Sequence, residues 1–130
     1  MYSRSTHQKK IIYDYIVNSK SHPSINQIYN DLVNKGENIG IATCYRNLKS
    51  LLNEGKVIQI MTNDNIAHYD YVDDEHFHLV CKCCNEIIDM DTKTVTINYN
   101  DDSILKNFKT DIKNLIIYGI CKRCQEREKN

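Results

Sequence analysis

The chain is predicted to be α+β, because three segments of helical periodicity come first, two short β-rich runs follow, and two C-x2-C pairs close the second half. The first helical segment is QKKIIYDYIVNS, in which Ile11, Ile12, Tyr15 and Ile16 form one stripe. In the second, Ser24 and Gln27 make a capping-box pattern ahead of Ile25, Ile28, Tyr29, Leu32 and Val33, and Gly36 ends the run. The third starts near Gly40, repeats Ile41, Cys44, Tyr45, Leu48, Leu51 and Leu52, and stops at Gly55. Its opposite face carries Thr43, Arg46, Asn47, Lys49 and Ser50. VIQIM and AHYDYV then read as a hairpin around the turn-like residues 62–65. Three helices and a hairpin describe a winged helix-turn-helix over residues 1–72, with Asp73-Asp74-Glu75 as the hinge to a second unit over residues 73–130.

That second unit opens with FHLVC, turns, and returns as EIIDM; NLIIYGI reads as a buried strand. Residues 92–99 prefer strand by propensity, while Ile104, Leu105 and Phe108 are spaced for a helix. Strand FHLVC runs into Cys81 and Cys84, and strand NLIIYGI into Cys121 and Cys124. Each C-x2-C knuckle presents two thiols from one tight turn, so the two together offer the four sulfurs of a closed tetrahedral Zn²⁺ site. Such a site would stabilise a unit whose own core is thin. Cys83, inside the knuckle, and Cys44, on the apolar face of the third helix, fall outside the count.

Net charge is zero, but it is unevenly spread. Residues 1–56 hold eight Lys/Arg against four Asp/Glu, and residues 57–130 hold nine against thirteen. A basic front half fits nucleic acid, and an acidic back half fits cations. The start, MYSRSTHQKK, is polar with no apolar run after it, and no stretch is long enough to span a bilayer. A cytoplasmic, reducing location is therefore expected, in which paired C-x2-C motifs bind metal and do not form disulfides. The third helix is the candidate reader of DNA: Arg46 could meet a guanine edge or a phosphate, and Thr43, Tyr45, Asn47 and Lys49 could follow the same groove. Four-thiolate closure leaves no open metal position for substrate water, so a zinc hydrolase is not expected, and no nucleophile–base motif points to another enzyme.

The runs IATCYRNLKSLLNEGKV, HYDYVDDEHFHLVCKCCNEIIDM and LIIYGICKRC resemble, in order and over nearly the whole chain, the ferric-uptake-regulator family of metalloregulatory repressors. The resemblance implies a homodimer on double-stranded operator DNA, with residues 73–130 forming an α/β dimerisation domain in which residues 92–108 are largely helical. It also implies a second, regulatory metal site for Fe²⁺ or Mn²⁺, whose ligands match His22, Asp70, His76, His78 and Asp89. Aspartate at position 70 is similar to the peroxide-sensing branch, in which a ligand histidine takes up oxygen; His22 and His76 are the matching targets. A further metal site of many iron-responsive members is not matched, since Phe77 stands where an acid is needed and no His follows His78.

The alternative within the family is an iron- or manganese-responsive repressor without histidine oxidation. A zinc-responsive member would recruit a thiol to the sensing site, for which Cys83 is the candidate. Two departures are expected to lower the DNA affinity or to alter its mode. Family members carry an extra helix before the segment matching residues 4–9, where only Met1-Tyr2-Ser3 stand, and position 7 is His in place of Pro.

Overall fold

In the computed structural model, residues 4–73, 76–98, 100, 104–109 and 114–128 are described. Met1-Tyr2-Ser3, the hinge residues Asp74 and Glu75, and parts of the segment 92–113 lie outside them. The chain divides into two compact units, Met1–Val72 and Asp73–Asn130. Among the described residues, no helix is long and apolar enough to cross a membrane.

The first unit packs α1 (Arg4–Asn18), α2 (Ile25–Asn34) and α3 (Ile41–Asn53) against a hairpin of β1 (Val57–Met61) and β2 (Ala67–Tyr71). Each helix contributes residues at i, i+3 or i+4 to one core: Ile12 and Ile16, then Ile28 and Leu32, then Cys44, Leu48 and Leu51. The capping box forms as the sequence predicts. Ser24 Oγ accepts from the Gln27 N–H, and Gln27 Oε1 accepts from the Ser24 N–H at 2.8 Å. Both predicted glycine stops close their helices with the paired 6→1 and 5→2 bonds of a Schellman motif. After α2, Glu37 N–H donates to Leu32 O and Gly36 N–H to Val33 O, each at 3.0 Å, with Gly36 at φ +92°. After α3, Lys56 N–H donates to Leu51 O and Gly55 N–H to Leu52 O, with Gly55 at φ +73°. The hairpin pairs Ile58 with Asp70 and Gln59 with Tyr69, and Asn65 at φ +63° turns its tip. Three helices and this wing make the first unit a winged helix.

Three positions of α3 depart from the sequence pattern. Tyr45 and Ile41, counted in the apolar stripe, are 56% and 39% exposed. Asn47, counted on the polar face, is 5% exposed. It sits three residues from Cys44 and four from Leu51, on the buried stripe, where its Nδ2 donates to Thr43 O at 2.9 Å.

The second unit is a three-stranded sheet in the order β4 (Ile87–Asp91), β3 (His76–Cys81), β5 (Ile116–Gly119), followed by α4 (Lys122–Glu128). β3 runs antiparallel to β4 and parallel to β5. A parallel neighbour requires a crossover, and residues 92–115 supply it. The helix expected over residues 92–108 is not what the described residues form: they show two short 3₁₀ turns, Thr92–Thr94 and Ile104–Asn107. The run Thr92 to Ile97 is dense in β-branched residues, which lose χ1 freedom in a helix. Asp91 Oδ1 accepts from the Lys93 N–H and so caps a single turn.

Candidate metal centre

The thiol cluster is built by strand pairing. Parallel register sets Cys81 opposite Gly119, and Lys82 N–H donates to Gly119 O at 2.8 Å, so β3 and β5 end side by side. After Cys81 the chain turns, with Asn85 at φ +63° and its N–H donating to Cys81 O, and this brings Cys84 round. After β5 the chain enters α4 through Cys121, whose carbonyl accepts from the Gln125 N–H, and Cys124 lies on the first turn. The sulfurs of Cys81, Cys84, Cys121 and Cys124 then all lie within 4.8 Å of one another. Cys84 Sγ and Cys121 Sγ are 3.9 Å apart. A tetrahedron with Zn–S bonds near 2.3 Å has edges of about 3.8 Å, whereas a disulfide is about 2.05 Å long. All six cysteines are thiols, and these four are spaced for a shared cation.

The electrostatics fit the same conclusion. The peptide N–H of Cys121 donates to Cys81 Sγ at 3.3 Å, and with the N–H of Cys84 it brings the Cys81 thiol down to about 6. Cys124 is pushed up, chiefly by its hydrogen bond with Cys121. Cys81 is thus favoured as thiolate, while Cys124 holds a proton that a divalent ion would displace. The four-cysteine cluster resembles a structural zinc site. Cys83 is exposed in the knuckle turn, at the far end of β3 from His76, and Cys44 is buried in the core of the first unit.

A second set of donors is divided between the units. On β3, His76 and His78 point to one face, their rings 4.9 Å apart and inclined at 73°. Asp89 of β4 is the register partner of His78, and its Oδ1 lies 3.4 Å from His78 Nε2 and 3.9 Å from His76 Nε2. In the first unit, Asp70 of β2 is buried and its Oδ2 lies 3.5 Å from His22 Nε2. His22 is buried and holds φ +52°. The five predicted regulatory ligands are therefore found as a histidine–carboxylate pair in one unit and a trio in the other.

Two neighbours escaped sequence reasoning. His68 Nδ1 is 2.8 Å from His22 O, and Asp73 Oδ1 is 2.6 Å from His76 Nδ1. His68 stands two residues before Asp70 on the same strand, so strand alternation alone could have placed it on that face. Nothing local marks Asp73.

Of the candidate DNA-reading residues, Tyr45, Arg46 and Lys49 are exposed, Thr43 is half-buried, and Asn47 is turned inward. Arg46 Nη2 donates to Thr43 Oγ1 at 2.9 Å. The two line a cavity of about 210 Å³ with Gln8 and Lys9 of α1, and Lys9 is ion-paired with Glu54.

A family model described as the ferric uptake regulator family matches residues 2–118. The chain is 32% identical over 125 residues to the peroxide operon regulator of Bacillus subtilis (strain 168), covering 96% of this chain and 86% of that protein. It is 31% identical over 123 residues to the peroxide-responsive repressor PerR of Staphylococcus epidermidis, covering 95% and 82%. The crystal structure of the Campylobacter jejuni peroxide stress regulator superposes with a TM-score of 0.70 at 25% identity, over 93% of this chain and 91% of that one.

Proposed function

This chain belongs to the ferric uptake regulator family, and from that premise we propose that it is a metal-dependent DNA-binding repressor that senses hydrogen peroxide. The observation that carries the reading is the donor set of His22 with Asp70 and of His76, His78 and Asp89, all imidazole nitrogen and carboxylate oxygen. A set without thiolate suits Fe²⁺ or Mn²⁺, whereas the four-sulfur cluster suits Zn²⁺. We take these five residues as the ligands of one regulatory ion, and Cys81, Cys84, Cys121 and Cys124 as those of a structural zinc. The likeness to two peroxide regulators, those of Bacillus subtilis and Staphylococcus epidermidis, supports the peroxide reading over iron or manganese sensing alone.

The residues divide the work. His22 and Asp70 belong to the unit that carries α3, and His76, His78 and Asp89 belong to the other. Ligation by both groups couples the units, and α3 presents Tyr45, Arg46 and Lys49 to operator DNA. Exposed Ile117 and Tyr118 on β5, an edge strand, support pairing of the second unit with its copy in a homodimer. Two-fold symmetry then sets the α3 helices to successive major grooves, about 34 Å apart. His22, Asp70, His76, His78 and Asp89 would hold the Fe²⁺, which would supply peroxide activation; the ring of His22 or His76 would take one oxygen as the O–O bond breaks, and the other would leave as water. An oxidised ring is a poorer ligand, and its loss releases the coupling. Shifting the population from almost wholly competent to almost wholly incompetent takes about 5.5 kcal/mol of differential binding.

The test is mass spectrometry of Fe²⁺-loaded and Mn²⁺-loaded protein after mild peroxide, with operator binding measured in parallel. One added oxygen on the His22 or His76 peptide is expected with Fe²⁺ alone, together with loss of DNA binding. Loss of DNA binding with both histidines unmodified would overturn oxidative sensing and leave the iron- or manganese-responsive reading.

A further inference from the structure

Among the described residues of the second unit, histidine–carboxylate approaches of two kinds occur. His78 Nε2 and His76 Nε2 stand 3.4 and 3.9 Å from Asp89 Oδ1, at or beyond the limit of a hydrogen bond and spaced as donors around a shared centre. His76 Nδ1 stands 2.6 Å from Asp73 Oδ1, the length of a short charge-assisted hydrogen bond. The same oxygen accepts from the His76 backbone N–H at 3.1 Å. One carboxylate oxygen thus grips both the main chain and the ring of His76. Because a carboxylate can only accept, the ring proton sits on Nδ1. Nε2 then carries the lone pair, and it is the atom turned toward Asp89, as is the Nε2 of His78.

We infer that Asp73, which lies outside the ligand set, is the positioning residue for the regulatory ion. It fixes the tautomer and the ring angle of His76 so that Nε2 is offered to the cation, and its negative charge makes that nitrogen a stronger donor. Without Asp73, the ring would rotate and the proton would redistribute between the two nitrogens. A partner of this kind is worth about 10- to 100-fold in metal affinity. The inference rests on His76 being a ligand, as proposed above.

The experiment uses the full-length, zinc-loaded protein and Mn²⁺ as the probe. Long-range ¹⁵N–¹H correlation of the histidine rings, before Mn²⁺ is added, reads the tautomer of His76 directly. Wild type is expected to show the Nδ1–H form, and Asp73→Ala a mixture richer in Nε2–H. Asp73→Ala should weaken Mn²⁺ binding about 10- to 100-fold with zinc content unchanged. Asp73→Asn keeps an oxygen acceptor and should retain the tautomer and most of the affinity. An Nε2–H ring in the wild type overturns the inference, whatever the variants do. So does an Asp73→Ala protein with wild-type Mn²⁺ affinity while His76→Ala loses it. If His76→Ala itself binds Mn²⁺ normally, the ligand assignment falls and takes the inference with it.

Discussion

His68 Nδ1 lies 2.8 Å from the carbonyl oxygen of His22. Since a carbonyl only accepts, His68 donates, and it does so to a residue held at φ +52°. That left-handed conformation costs a side-chain-bearing residue about 1–2 kcal/mol, so something must hold it. Here the hold is shared: Tyr69 N–H donates to Pro23 O at 2.9 Å, and Ser24 bridges His68. His68→Leu should lower the unfolding free energy by about 1 kcal/mol in urea titration, with zinc content unchanged. His68→Asn, which keeps a donor near the Nδ1 position, should recover most of it. A leucine variant as stable as the wild type would show that the strand pairing alone suffices.

Exposure on α3 separates contact residues from packing residues. Arg46→Ala and Lys49→Ala remove exposed cations and should change stability by no more than about 0.5 kcal/mol. If each meets a phosphate, each should lower the slope of log affinity against log salt by about 1 in operator-binding titrations. Asn47→Ala should do the reverse. It loses the buried bond to Thr43 O, costing up to about 1 kcal/mol after alanine's helix propensity offsets part of it, and leaves the salt slope alone. A reduced slope in the Asn47 variant would put that side chain back in the groove.

Asn47 also shows where sequence reasoning stops. Local signals were legible: the Ser24–Gln27 box, the stops at Gly36 and Gly55, the hairpin, and the cysteine pairs each depend on a few adjacent residues. Asn47 and Tyr45 were misassigned because a polar residue can join a buried stripe when its amide finds a backbone oxygen, and a tyrosine can leave it. Segment 92–108 was misjudged for a different reason. Its expected helix came from resemblance, while its own β-branched residues argue against one. Strand alternation could place His68 on the face of Asp70, but its bond to the His22 carbonyl, 46 residues away, depends on tertiary placement, and the bond of Asp73 to His76 depends on how the chain turns between them.

The alkaline limb of stability should report two tyrosines. The Tyr15 hydroxyl donates to Asp31, and burial first, then that bond, pushes its pKa up from 10 to about 12. Burial also raises Tyr69. The folded state therefore keeps protons that the unfolded chain releases. This contribution is complete below pH 10 and is lost as pH climbs through about 12. Urea midpoints measured upward from about pH 9 should fall through that window, and Tyr15→Phe should flatten the fall. A Phe variant with the wild-type slope would assign the limb to other groups.

The thiol cluster carries the strongest stability prediction, because the second unit has little else to hold it. Among the described residues its buried apolar set is short, with Phe77 and Val80 on β3 beside Cys81 and Cys124. Metal binding by comparable sites in isolated zinc-finger peptides is worth about 10–16 kcal/mol, far more than such a core could replace. Cys121→Ser leaves three sulfurs and should release zinc, measured by metal analysis of the purified protein. Proteolysis should then cut within residues 73–130 while the fragment containing α1 to α3 survives. Cys83→Ser alters a thiol of the same knuckle but outside the four, and should keep full zinc and wild-type resistance. Zinc retained by Cys121→Ser and lost by Cys83→Ser would mean that the knuckle turn presents a different pair of sulfurs from Cys81 and Cys84. The parallel register that sets Cys81 against Gly119 would then need another explanation.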